Sequence, residues 1–196
     1  MAETSTKAAG STPKRDLLLD TAAKLFYRDG YHAVGIDTIL AEAGLAKMTL
    51  YHHFSSKEEL IIAALERRGR AVGEAISTAI EAAGGAPKKR LFAIFDWYEQ
   101  WFDSKDFNGC AFIRAVGEYP EIKSPIHQMV MKQKQAGRDR IETLLAEMEV
   151  SAPAKMASQI YLLLEGSIVS AHTFGNSSII KSARDAALAL IKADVD

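Results

Sequence analysis

Cysteine is nearly missing from this chain. Cys110 is the only thiol in 196 residues, so no intrachain disulfide can form and an apolar core must hold the fold. Long apolar runs are missing too: no stretch approaches the roughly 20 residues a membrane helix needs, and no signal-peptide core is present. A cytoplasmic protein with a reduced thiol is predicted. Charge of one sign is also lacking, with 24 Lys and Arg against 25 Asp and Glu, and ten against nine within residues 1–70. That balance excludes a non-specific DNA-packaging protein, which needs a basic surface. Alternating apolar and polar runs bracketed by turn residues do not occur, which excludes a sheet protein.

Catalytic signatures are absent as well. There is no Ser/His/Asp or Cys/His arrangement, no phosphate-binding glycine loop and no H-E-x-x-H pair, which stands against the alternative of an all-helical enzyme acting on a small molecule. Adjacent His52 and His53 point about 100° apart on a helix and do not share one ion. No metal or cofactor is expected.

What remains is helical throughout. Apolar residues recur at three-and-four spacing, and the turn signals between them divide the chain into about nine helices, an all-α fold. Residues 1–12 are small and polar and read as a flexible tail, ending where Thr12-Pro13 opens the first helix. Residues 13–60 form a small head and residues 61–196 a larger helical domain. The fourth helix, through Leu60, Leu65, Val72 and Ile76 to the break at Gly84-Gly85, is long enough to connect the two.

The head carries the clearest signal, in GYHAVGIDTILAEAGLAKMTLYHHFSSKEEL over residues 30–60. Gly44 follows the apolar set Ile36, Ile39, Leu40 and Ala43, where a helix end needs a left-handed residue. If Ala46 caps the next helix, Leu45 and Leu50 have the spacing of a hydrophobic staple, and Leu50 and Phe54 share its buried face. Lys47, Met48, Thr49, Tyr51, His52 and His53 are left outward, a set that suits a DNA major groove. The cation and hydroxyls can contact phosphates, the imidazoles and Thr49 can hydrogen-bond base edges, and Met48 or the Thr49 methyl can touch a thymine methyl. Lys14 and Arg15 reach the DNA backbone. Ser56 and Glu59 have the spacing of a capping box, whose free N–H groups, with Lys57 beside them, suit a phosphate.

Residues 14–60 resemble the DNA-binding domain of the tetracycline-repressor (TetR) family of bacterial transcription regulators. The resemblance runs from Arg15, Leu18, Ala22, Phe26 and Gly30-Tyr31 through Ile39 and Ala43-Gly44 to Lys47, Thr49-Leu50-Tyr51, His53-Phe54, Ser56-Lys57 and Leu60. It implies that Thr49, Tyr51, His53 and Lys57 contact DNA, Tyr51 and Lys57 chiefly at phosphates. Three positions depart from the family pattern. Gly35 and Ala46 replace Ser or Thr caps, the second at a cost of about 0.5–2 kcal/mol, and Met48 replaces a small residue, so base preference there should differ from that of relatives.

The resemblance further implies a repressor that binds an inverted-repeat operator as a homodimer, with half-sites about 34–36 Å apart or a multiple. A small effector in the second domain releases it from DNA by swinging the fourth helix. A mostly apolar or aromatic effector is expected, against Trp97, Trp101, Phe112 and Tyr161, with Arg114, Glu118, His127, Glu165 and Cys110 as further candidate contacts. Leu162, Ile168, Val169 and Phe174 on the eighth helix and Ala187, Leu190 and Ile191 on the ninth are candidates for the subunit interface. Cys110, at the expected start of a helix, also raises the alternative of a thiol sensor of electrophiles or oxidants.

Overall fold

Proline and glycine mark where the helices begin and end. The computed structural model describes residues 12–195, with the side chain of residue 195 excepted, and among these it contains nine helices and no strand. Pro13, Pro87, Pro125 and Pro153 each occupy a first-turn position, where the missing N–H removes no intrahelical bond. Apart from Thr12, the tail expected over residues 1–12 lies outside the described residues. No described helix is long and apolar enough to cross a membrane. The chain divides into two compact units, Met1–Ala64 and Leu65–Asp196.

The first unit holds α1 (Pro13–Asp29), α2 (Ile36–Ala43), α3 (Lys47–His53) and the first residues of α4 (Lys57–Ala83). Leu18, Phe26, Tyr31, Ile39, Leu50 and Phe54 form its core, all fully buried, and burying each such side chain contributes about 1.5–3 kcal/mol. The turn between α2 and α3 is set by Gly44, at φ 64° and ψ 34°. Its left-handed conformation lets the Leu45 N–H donate to the Leu40 carbonyl at 3.1 Å, so an orphan carbonyl at the end of α2 is satisfied. Ala46 caps α3 without a side-chain bond. At α4 the Glu59 N–H donates to Ser56 Oγ at 3.1 Å, half of the expected capping box. The Glu59 carboxylate reaches one residue further back than expected, accepting from the N–H and hydroxyl of Ser55, both at 2.7 Å.

The second unit holds the rest of α4 with α5 (Pro87–Phe102), α6 (Ala111–Glu118), α7 (Pro125–Ala146), α8 (Pro153–Phe174) and α9 (Ile179–Val195). α7 and α9 pack on α8, and α5 packs on all three. Leu91, Phe95, Leu145, Ile160 and Leu164 lie at its centre. Arg184 fastens α9 to α5, with Nη1 2.6 Å from the Asp96 carboxylate and the guanidinium over the Phe92 ring at 5.4 Å.

Three residues assigned to the subunit interface belong instead to this core. Ile168, Ala187 and Ile191 are buried within the single chain, so they present no surface to a partner. The apolar stripe of α8 wraps around the helix: Ile160, Leu164, Ile168 and Ala171 face inward, while Leu162, Val169 and Phe174 lie outside. Spacing alone assigns both sets to apolar faces without saying which face the chain covers for itself.

Candidate functional site

In the first unit, the outward side of α3 is built by subtraction. Leu50 and Phe54 point into the core, which turns Lys47, Met48, Tyr51 and His52 to solvent, Met48 at 80% exposure. Thr49 and His53 are half-buried at the margin of this face. Lys47 lies 3.6 Å from Asp37 of α2 in an exposed pair. Arg15 of α1 stacks its guanidinium over the Phe54 ring at 5.0 Å, which fixes a cation beside α3. Lys14 next to it is exposed. Lys57 Nζ donates to the His32 carbonyl at 3.3 Å, holding the ammonium near the start of α4.

His53 Nε2 lies 3.4 Å from the hydroxyl of Thr12, the residue that caps α1. Desolvation, then the neighbouring His52 and Arg15, hold its pKa below the ordinary histidine value. That shift favours the uncharged imidazole, whose two nitrogens can donate and accept hydrogen bonds.

The second unit encloses a cavity of about 120 Å³, walled by α4, α5, α7, α8 and the first turn of α6. Trp97, Tyr98 and Trp101 of α5 supply a run of aromatic surface, Trp97 and Trp101 stacked at 5.6 Å between centroids. A polar cluster lies opposite. Lys134 Nζ of α7 is 2.5 Å from the Glu165 carboxylate of α8, 3.4 Å from Cys110 Sγ and 5.9 Å from the Phe112 ring centre. Tyr161, one turn before Glu165 on α8, lines the same cavity. Burial first, and then Glu165, push the Tyr98 and Tyr161 phenols far above their ordinary value. Both remain neutral donors.

The sequence matches the model of the bacterial regulatory proteins of the tetR family over residues 18–64. The crystal structure of a TetR-family transcriptional regulator from Streptomyces coelicolor superposes with a TM-score of 0.87 at 30% identity, covering 93% of this chain and 96% of that one. The chain belongs to the TetR family of bacterial transcription regulators. It is 28% identical to the uncharacterized HTH-type transcriptional regulator YxaF of Bacillus subtilis over 161 residues, 79% of this chain and 83% of that protein. Against the HTH-type transcriptional repressor NemR of Escherichia coli it is 24% identical over 119 residues, 60% of each chain.

Within this TetR-family fold, Trp97, Trp101, Cys110, Phe112, Tyr161 and Glu165 all line the cavity. Arg114, Glu118 and His127 do not. Only the first turn of α6 reaches the wall, which leaves Arg114 and Glu118 beyond it, and the His127 ring turns to the Tyr119 carbonyl at 3.2 Å. Sequence reasoning missed Lys134, Arg140 and Gln133. They sit in the polar stretch MKQKQAGRDR, which reads as a solvated face; Gly137 in its middle was the available sign that another helix comes close.

Proposed function

We propose that this transcription regulator is a ligand-responsive repressor that binds an inverted-repeat operator as a homodimer and is released by a small effector held in the second unit. The observation that carries this reading is the aromatic cavity with a polar cluster, one wall of which is α4. That helix begins among the residues of the reading head and continues into the cavity wall. An effector that binds better to one placement of α4 shifts the protein toward it, and DNA that binds better to another opposes it. NemR, a relative, is named a repressor, and a head that occupies a promoter represses with the least machinery.

DNA contacts are assigned to Lys14, Arg15, Lys47, Met48, Thr49, Tyr51, His52, His53 and Lys57. The second subunit is assigned to the exposed apolar side chains of α8, Leu162, Val169 and Phe174, at 70%, 50% and 78% exposure, together with half-buried Leu190 of α9. Exposed apolar area of this kind marks association surfaces. Such a protein works in the cytoplasm, where the operator is.

Selection of random duplex DNA by the ligand-free protein tests this. Enrichment of an inverted repeat with half-sites one turn apart, or a multiple, is the expected result. An unenriched pool from folded protein would leave α3 as scaffold and favour the enzyme reading.

One observation favours thiol sensing as a second reading: Cys110 Sγ is in the cavity wall beside the Lys134 ammonium. A compound entering the cavity meets the thiol directly. Mass spectrometry after mild alkylation at neutral pH decides it, and an unmodified Cys110 ends the idea.

A further inference from the structure

The cavity has a charge balance and a size that select among ligands. Its wall contains three cations, Arg68, Lys134 and Arg140, and one carboxylate, Glu165. Lys134 and Glu165 neutralise each other. A cationic guest therefore finds no free acid. Arg140 differs from Lys134: it is half-buried, and among the described residues it has no carboxylate partner. Its Nη2 lies 3.5 Å from the position a Cβ of Gly73 would take, so the fork rests against bare α4 backbone. Gly69, Gly73, Gln133 and Arg140 line both the cavity and a surface groove beside it, which places Arg140 at the mouth.

Tyr98 supplies the second polar handle. It is 9% exposed and lines the cavity, and its phenol is a neutral donor that suits an anionic acceptor. Arg140 and Tyr98 both line the cavity.

Resting on the ligand-responsive reading above, we infer that the effector is a single-ring aromatic carboxylate, its ring against Trp97 and Trp101 and its carboxylate on Arg140 and the Tyr98 hydroxyl. A cavity of about 150 Å³ holds benzene, so the space of about 120 Å³ here excludes a fused system and takes a single ring only with its carboxylate outside, at the Arg140 mouth. The planar guanidinium meets a planar carboxylate with two parallel N–H···O bonds, a match that a neutral amide does not reproduce.

The chain's only two tryptophans both line this cavity, so tryptophan emission of the full-length protein reports occupancy. Benzoate and benzamide, equal in shape, are titrated in parallel. Benzoate is expected to saturate the signal about tenfold more tightly, the worth of a hydrogen bond to a charged group. Arg140→Gln should bring the ratio near one, Arg140→Lys should restore part of it, and Tyr98→Phe should weaken benzoate several-fold. Equal binding of the two compounds by the unaltered protein overturns the inference without any variant, as does a ratio unchanged in folded Arg140→Gln, or no response to either. Release from the selected operator is read separately. Benzoate that binds but leaves DNA bound retires the effector role of the cavity and keeps the ligand class; release by neutral aromatics alone does the reverse.

Discussion

Tyr161 fills the space that Gly137 leaves empty: a Cβ added to residue 137 would sit 3.0 Å from Cε2 of the Tyr161 ring. Two helices, α7 and α8, approach there because one carries no side chain. Gly137→Ala gains up to about 1 kcal/mol of helix propensity, but it pushes a half-buried ring packed between the two helices, and overpacking costs about 1–3 kcal/mol. The loss should win. Melting temperature is expected to fall by several degrees, and tryptophan emission should shift as the cavity wall moves; an unchanged melt and spectrum would mean the ring yields freely.

Gly44 makes a contrasting case, because nothing lies within 4 Å of a Cβ added there. Only the backbone opposes substitution. Gly44→Ala should cost about 1–2 kcal/mol through its left-handed φ, while Gly44→Asn should cost distinctly less, since Asn tolerates that region. Urea unfolding of the two variants compares them, and equal losses would show that the side-chain space matters after all.

Glu59 gives the head a pH dependence of known sign. Hydrogen bonds from the hydroxyl and N–H of Ser55 hold its carboxyl below the ordinary carboxylate range. A carboxylate with a folded pKa below its unfolded value, about 4.3, contributes stability fully above that unfolded value and loses it as pH falls through the folded one. The group is exposed, so the amount is under about 1 kcal/mol. Glu59→Gln should lower stability slightly at neutral pH and flatten the acid limb of a denaturation series. A variant that parallels the parent from neutral to acid pH would remove Glu59 as the cause.

On α3 the roles divide. Tyr51, 47% exposed, is expected to hold phosphate, so Tyr51→Phe should weaken binding to every sequence by a similar factor, about five-fold for one hydrogen bond. Met48 is expected to reach bases, so Met48→Gly should change the selected sequence and leave overall affinity closer to the parent. Sequencing of pools selected by each variant reads both effects, and a Tyr51→Phe pool with altered base preference would reverse the assignment.

The exposed side chains of α8 are expected to be covered by a second copy. Leu162→Asp and Phe174→Asp should each give a folded monomer in sedimentation, because neither side chain is part of the core. Either variant remaining dimeric would move the interface elsewhere.

Helix boundaries were legible in the sequence because each is fixed by a local device: the proline starts, Ser56 before Glu59, and Gly44 in its turn. The inward face of α3 was legible for a similar reason, since Leu50 and Phe54 four apart leave few choices. The cavity was only partly so. Which polar residues reach it depends on how α4, α7 and α8 cross, a property of several helices at once, and long side chains such as Lys134 and Arg140 look in sequence like any solvated pair. Ile168, Ala187 and Ile191 show the same limit from the apolar side.

α3 has seven residues and an alanine at its N-cap that makes no side-chain bond. Isolated helices shorter than about 12–15 residues are marginal in water even with favourable sequences, so this one exists only because Leu50 and Phe54 are anchored beneath it. A synthetic peptide copied from it would be a coil, blind to any operator. Transplanting its specificity into another regulator would require moving the α2 turn and the supporting core along with the residues expected to touch DNA.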